Sequence, residues 1–201
     1  AAQPALTRND IGLPEDAVVF ACFHRAEKIT PMRFHCWLEI LQQVPDALLW
    51  IINDQPLVEE RLRKKARAAG LGPQRLVFSP KLESALFSQA CSLADLLLDT
   101  SPYSSGATAV TALAAGLPLL SCPGENFASR MGASLCAATG LNELICSTPE
   151  AYQQKAIALG RQPAELRRLR RHLLDQQHNL PLFNTAAWVG HLEGLLEQLV
   201  H

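Results

Sequence analysis

The chain has 201 residues, of which 48% are hydrophobic and 18% are charged, and its formal net charge is -1. This length fits one sizeable domain, or one domain with a helical appendage, and the composition is typical of a folded protein. A net charge so close to zero provides no global basic field, so a nucleic-acid partner is not expected. The basic runs at 61–67 and 167–171 are interpreted as solvated helix faces.

The six cysteines lie mostly in apolar segments and form no C-x-x-C pair, which predicts reduced core thiols and no zinc site. No apolar stretch is long enough for a membrane span, and no signal-peptide pattern opens the chain. We therefore expect a cytoplasmic protein without a membrane partner. The opening residues AAQPAL also fit a fragment of a longer protein.

Short runs rich in Val, Leu, Ile and Phe predict buried strands. They cover 17–23, 47–52, 75–79, 94–98 and 118–122, and 143–146 is a short further candidate. Each run is followed by a helical pattern, and this alternation is the signature of a parallel sheet covered on both faces. The predicted fold class is therefore α/β, with a Rossmann-like, doubly wound, mostly parallel sheet of about five or six strands.

Capping signals mark the helices between these strands. Thr30 fits the N-cap of the first helix, with Pro31 at its first position. Helices predicted at 57–69 and 108–115 each end before a glycine that can take the left-handed C-cap conformation.

A helical extension is predicted over about 148–201. Its helices start at Thr148, at Pro163 and at Thr185, which is expected to cap the last helix. We expect these helices to pack back onto the sheet domain or to reach a partner domain, with the last helix lying apart from the core.

The loops that follow the strands are the places to look for a ligand site, because open α/β sheets bind ligands outside the carboxyl ends of their strands. Loop 23–28 carries Arg25 and Lys28, which could hold phosphate or could be solvated cations. Loop 98–108 is rich in small residues and leads into a helix N-terminus suited to an anion, although many α/β turns share that composition. In loop 122–130, Glu125 and Arg130 also fit a cap and a pair around a tight turn. We predict that 25–28 and 104–108 meet at one open cleft.

Several enzyme classes lack their characteristic residues. The sequence has no paired Ser and His, no G-K-T phosphate loop, no G-x-G-x-x-G and no metal-ligand cluster. Hydrolase, P-loop and dehydrogenase interpretations are therefore not favoured.

An ordered set of motifs spans nearly the whole chain: IGLPEDAVVFACFHRAEKITP, LRKKARAAGLGPQRLVFSP, LADLLLDTSPYSSGATAVTALAAGLPLL, CPGENFASRMGASL, LNELI and PLFNT. Together they resemble the C-terminal catalytic lobe of the O-GlcNAc transferases and the related SPINDLY family. The resemblance implies a GT-B architecture in which this chain is one nucleotide-sugar-binding lobe over 1–201, without its N-terminal lobe and tetratricopeptide repeats. It also implies inverting transfer of a sugar, with UDP-GlcNAc as the expected donor, to Ser or Thr of an acceptor protein, without a metal or other cofactor.

The resemblance also implies roles for individual residues. Lys28 matches the family lysine on the diphosphate, and Arg25 takes a polar donor-contacting position. The backbone near Leu82 matches the segment beside uracil. The segment around the phosphates is matched by Gly106, Ala107 and Thr108.

The chain departs from the family pattern at several of these positions. Thr111 stands where an aspartate usually contacts the ribose, Ala107 lacks a hydroxyl, and Ala114 replaces a frequent tryptophan. Phe87 and Ala90 stand where a histidine and an arginine usually lie near the base. Two alternatives stay open: a degenerate lobe that acts as a binding or scaffolding module, and a SPINDLY-like transferase that uses GDP-fucose.

Overall fold

Five parallel strands form one open sheet in the order β3-β2-β1-β4-β5. They are β1 (Val18–Cys22), β2 (Ala47–Ile52), β3 (Leu76–Ser79), β4 (Leu96–Leu98) and β5 (Leu119–Leu120). The central strand β1 pairs with both β2 and β4. This computed structural model describes residues 5–200, and it confirms the predicted parallel α/β sheet.

Nine helices accompany the strands within residues 5–200. They are α1 (Arg8–Ile11), α2 (Pro31–Gln43), α3 (Pro56–Ala68), α4 (Ser84–Leu93), α5 (Ala107–Ala114), α6 (Phe127–Ala138), α7 (Pro149–Gly160), α8 (Pro163–Asp175) and α9 (Thr185–Val200). Short 3-10 turns lie at Ala26–Lys28, Pro73–Arg75, Asn142–Leu144, Gln177–Asn179 and Pro181–Phe183. Helix α2 packs against α7, while α5 packs against α4 and α8, which fits two helical layers on opposite faces of a doubly wound sheet.

The strands are near-continuous apolar runs, so the sheet is buried on both faces and forms the centre of the core. Every residue of β1 and β4 is buried. Trp50 of β2 is fully buried, and its indole N–H donates to the Ser79 hydroxyl at 2.8 Å. The sheet is thus a rigid platform whose carboxyl edge presents the loops between strands and helices.

The predicted helix boundaries agree with the structure where caps define them. The Thr30 hydroxyl accepts from the Arg33 backbone N–H at 3.2 Å, and Pro31 is the first residue of α2. Gly70 and Gly116 follow their helices with φ of 80° and 81°, the left-handed conformation that favours glycine.

Two predicted features are wrong. The candidate strand at 143–146 is replaced by the 3-10 turn Asn142–Leu144, and Ile145 alone makes an isolated parallel bridge, to Ser121. Thr185 is not the cap of α9, because the Asn184 side chain accepts from the Ala187 N–H at 3.0 Å. Asparagine is at least as good a cap as threonine, so the helix starts at Thr185 itself.

The C-terminal helices behave in two ways. Helix α8 packs back onto the sheet domain through the buried stripe Leu166, Leu169 and Leu173. Helix α9 leaves most of its apolar side chains exposed, including Trp188 at 60% and Leu199 at 81%. This confirms that the last helix lies apart from the core.

All six cysteines are free thiols, and four are buried as predicted, while Cys36 and Cys122 are partly exposed. Burial raises the pKa of the Cys22 and Cys91 thiols to about 12, which keeps them protonated and unreactive. Among the described helices, none combines the length and the apolar character that spanning a bilayer requires.

Candidate functional site

The loops after β1 and β4 meet at the carboxyl edge of the sheet. The Lys28 ammonium donates to the Ser104 carbonyl at 3.0 Å. It also lies 3.8 Å from the centre of the Tyr103 ring, as a cation over an aromatic face. This contact, between residues 76 positions apart, confirms that 25–28 and 104–108 come together.

Lys28 lies at the end of the 3-10 turn Ala26–Lys28 and is partly buried. This partial burial lowers the pKa of its ammonium; the nearby Asp99 carboxylate opposes that shift, and the neighbouring Arg25 adds to it. Arg25 itself is exposed at the start of the turn. Two cations therefore stand together at one edge, an arrangement that favours an anionic ligand.

Helix α5 points its N-terminus to the same edge. Gly106 is its N-cap and provides no side-chain capping group, so backbone N–H groups of the first turn are available to a ligand. The space where a Gly106 side chain would stand is open, with no atom within 4 Å. Ala107 is exposed, and Thr108 is partly exposed beside it. The Thr111 hydroxyl bonds weakly to the Ala107 carbonyl at 3.4 Å.

The third contribution comes from the segment around the start of α4. Leu82 is partly buried between β3 and α4 and packs against the core. The Phe87 ring packs edge-on against Phe23 of the loop after β1, with ring centres 5.6 Å apart. The Leu82 segment lies at the same edge because it follows the carboxyl end of the parallel strand β3. Ala90 is completely buried, so its side chain offers nothing to a ligand.

A buried carboxylate organises the loop that carries Ser104 and Ser105. Asp99 Oδ1 accepts from the Thr100 and Ser105 backbone N–H groups at 2.9 and 2.8 Å and from the Ser105 hydroxyl at 2.6 Å. Asp99 Oδ2 accepts from the hydroxyls of Ser104 and Ser121 at 2.6 and 2.5 Å. Asp99 is only 1% exposed, so these five bonds supply the donors that a buried carboxylate requires.

Two further contacts fix this centre in the fold. The Gly132 N–H of α6 donates to Ser104 Oγ at 2.8 Å. A side chain at Gly132 would collide with Ser104, Ser121 and Asp99, so α6 can approach this closely only with glycine there. The Tyr152 hydroxyl of α7 donates to the Asp99 carbonyl at 3.1 Å. Two helices, α6 and α7, and the ends of β4 and β5 thus converge on Asp99 and its serine partners.

The expectation that no Ser and His are paired is wrong, because the fold brings His24 Nε2 within 3.0 Å of Ser105 Oγ. The Ser105 hydroxyl donates to Asp99, so it accepts from His24, which is therefore protonated on Nε2. Ser105 is completely buried, and burial lowers the pKa of His24 to about 4 despite the nearby Asp99. The trio is a structural network without an accessible nucleophile, so a hydrolase remains unsupported.

His24 leads to a pH prediction. Its pKa is about 4 in the folded chain against an ordinary 6.5, so between these values the unfolded chain binds a proton that the folded chain does not. Stability should therefore fall as the pH drops from 6.5 towards 4. The free energy of unfolding, measured with denaturant at several pH values, should fall less steeply with decreasing pH for His24→Asn than for the wild type. His178→Asn is the control, since that histidine is exposed and none of the ion pairs within residues 5–200 includes it, and this variant should keep the wild-type pH dependence. An identical pH dependence of the free energy of unfolding in all three proteins would contradict the prediction.

The loop after β5 is held by Asn126, and not by Glu125 and Arg130, which the sequence suggested as a cap and a pair. The Asn126 side chain accepts from the Ser129 N–H at 2.9 Å and caps α6, while Glu125 and Arg130 are exposed. Within residues 5–200, no ion pair joins Glu125 to Arg130. The alternative of a cap and pair by these two residues is therefore not supported.

A parallel sheet of this order, with cations and a helix N-terminus at its carboxyl edge, is a Rossmann-like lobe, and it matches glycosyltransferase structures of the GT-B type. The chain belongs to glycosyl transferase family 41, whose sequence profile matches residues 3–192. It corresponds to the C-terminal lobe of the O-GlcNAc transferase and SPINDLY proteins of that family.

Individual comparisons agree with this placement. The chain is 36% identical over 187 residues to the probable UDP-N-acetylglucosamine--peptide N-acetylglucosaminyltransferase SEC of Arabidopsis thaliana, covering 92% of the chain and 19% of that protein. It is 32% identical to the UDP-N-acetylglucosamine--peptide N-acetylglucosaminyltransferase of Caenorhabditis elegans, covering 96% of the chain and 17% of that protein. A mutant O-GlcNAc transferase from Thermobaculum terrenum superposes with a TM-score of 0.83 at 29% identity, over 92% of this chain and 38% of that chain.

The chain therefore spans about a fifth of the length of these curated relatives.

Proposed function

We propose that this chain is the donor-binding lobe of an inverting protein O-glycosyltransferase that transfers GlcNAc from UDP-GlcNAc to Ser or Thr hydroxyls of proteins. The proposal is carried by the position of Lys28 beside the segment that precedes α5. Its ammonium donates a hydrogen bond to the Ser104 carbonyl of that segment at 3.0 Å. A diphosphate placed there would face the Lys28 ammonium and the N-terminus of α5. The names of the relatives support the donor and the peptide acceptor.

The proposed chemistry needs positive charge where the leaving group develops negative charge. When the bond between the sugar and the diphosphate breaks, its electron pair stays on the diphosphate oxygen. Lys28 and the backbone N–H groups of α5 would stabilise that charge, which is the electrostatic form of catalysis that needs no metal ion. In this proposal Arg25 contacts the donor from its exposed position, and the backbone near Leu82 lies beside the base. The other lobe, with any tetratricopeptide repeats, would belong to a longer protein, and the acceptor would be a separate protein.

A second candidate is a degenerate lobe that binds or scaffolds without transfer. It is favoured by Ala107, which offers no hydroxyl, and by Ala90, which is completely buried. Thr111 is neutral where a charged ribose contact is expected, and hydrogen bonds to charged groups contribute about 1.5 to 3 kcal/mol. Because the altered positions include those near the base, a GDP-fucose donor is an alternative within the first candidate.

Calorimetric titration of this chain with UDP, UDP-GlcNAc and GDP tests the proposal. We expect UDP and UDP-GlcNAc to bind, and GDP to bind at least about tenfold more weakly, a difference of about 1.4 kcal/mol. Lys65→Met, which removes an exposed lysine in the last turn of α3, is the control and should bind as the wild type does. Preference for GDP would favour the SPINDLY-like donor, and no binding of any nucleotide would favour the degenerate lobe.

A further inference from the structure

Tyr103 is a large aromatic residue that the fold leaves 56% exposed at the edge of the sheet. One face of its ring lies 3.8 Å from the Lys28 ammonium. An exposed tyrosine contributes little to the core, and the interaction of its ring with an ammonium can instead fix the position of that cation.

The backbone on both sides of Tyr103 is held in place. Its carbonyl accepts from the Thr100 hydroxyl at 2.7 Å. The next residue, Ser104, donates its N–H to the Ala128 carbonyl at 3.0 Å, and its hydroxyl bonds to Asp99 at 2.6 Å. The ring is therefore presented from a fixed segment, while the lysine that it contacts has a long flexible side chain.

The chemistry of the contact suits a lysine that must meet an anion. A carboxylate in direct contact with Lys28 would hold the ammonium but would also neutralise it, and within residues 5–200 no ion pair joins the nearby Asp99 to Lys28. A neutral aromatic face holds the ammonium and leaves its full charge. Of the three N–H donors of the ammonium, the Ser104 carbonyl occupies one, at 3.0 Å. The others can turn to an incoming phosphate.

We propose that Tyr103 is a positioning residue, whose ring holds the Lys28 ammonium beside the start of α5, ready for the diphosphate of the nucleotide sugar. The inference rests on the function proposed above and goes further by giving Tyr103 a role that acts through Lys28. Tyr103 acts as an aromatic platform, so its hydroxyl is dispensable and its ring is not.

A double-mutant cycle on UDP affinity, measured by calorimetry on this chain, tests the inference. Tyr103→Phe keeps the ring and should bind UDP within about twofold of the wild type. Tyr103→Leu removes the ring and should weaken UDP binding about three- to tenfold, the range expected for one cation–π contact at a partly exposed site. In a Lys28→Met background, Tyr103→Leu should have no further effect, because the cation is already absent. Circular dichroism melts of each variant verify folding.

The outcomes separate this inference from the proposed function. If the wild type does not bind UDP, the proposed donor site fails and the inference fails with it. If Lys28→Met weakens UDP binding but Tyr103→Leu does not, the positioning role alone is overturned. If Tyr103→Leu weakens binding equally in the Lys28→Met background, the ring contacts the ligand directly and the positioning role is again overturned.

Discussion

Replacing Asp99 with alanine is expected to lower the free energy of unfolding by about 3 to 5 kcal/mol, the range seen when one member of a buried charged network is removed. The reason is the set of donors that the change leaves behind. Asp99 accepts from two backbone N–H groups and from three serine hydroxyls, all in a site that is almost inaccessible to water. Each buried donor that loses its acceptor costs about 1 to 3 kcal/mol unless water or another group replaces it.

The measurement is chemical denaturation of the wild type, Asp99→Ala and Asp99→Asn. Asparagine keeps one carbonyl oxygen for the donors on Oδ1, and its amide can donate to hydroxyls that rotate, so Asp99→Asn should cost clearly less than Asp99→Ala. Asp54→Ala is the matched control, since that exposed carboxylate accepts one bond, from the Lys81 N–H. Its effect should stay within about 0.5 kcal/mol. Equal free energies of unfolding for the Asp99→Ala and Asp54→Ala variants would contradict the claim that Asp99 stabilises this loop.

The sheet was predictable because its signal is local. An apolar run such as 47–52 cannot be exposed on either face, so it implies a buried parallel strand, and the structure has β2 over the same residues. The short elements were harder. The run at 143–146 has strand-like composition, yet only Ile145 reaches the sheet, through a single bridge to Ser121. Too few residues are available there to build a ladder, and a local 3-10 turn satisfies the backbone instead.

The capping error at the last helix has a similar origin. Asn184 and Thr185 are both good N-cap residues, and their order along the chain does not decide between them. The N-cap is the residue whose side chain accepts from the third N–H of the helix, and in the structure this residue is Asn184. A boundary uncertain by one residue is the normal limit of sequence patterns at helix ends.

The candidate site was predictable only in part. Lys28 could be located because it follows a strand and precedes a capped helix, and the resemblance to a known family pointed to the same residue. His24 and Tyr103 could not, because their partners lie far away in sequence: His24 contacts Ser105, 81 residues away. Asp99 follows a buried strand, and no role was predicted for it, because the donors that surround it depend on how α6 and the end of β5 pack. Such networks arise from tertiary packing and leave no periodic signal.

Lys28→Met, made in the longer protein to which this lobe would belong, is expected to lower kcat about 100-fold or more while weakening UDP binding by no more than about tenfold. Methionine keeps most of the unbranched side chain and removes the charge, so packing against Tyr103 should persist. If the ammonium binds the diphosphate in the ground state, and binds it more strongly as the sugar bond breaks, the loss must appear mainly in turnover.

Initial rates with saturating donor, together with calorimetric UDP affinities, provide both quantities. Lys65→Met should leave both unchanged, because it lies in the last turn of α3, and that helix leads from the carboxyl end of β2 back to the amino end of the parallel strand β3. Equal kcat for the wild type and Lys28→Met would refute the catalytic role, whereas an inactive wild type that still binds UDP would identify the lobe as a degenerate binding module.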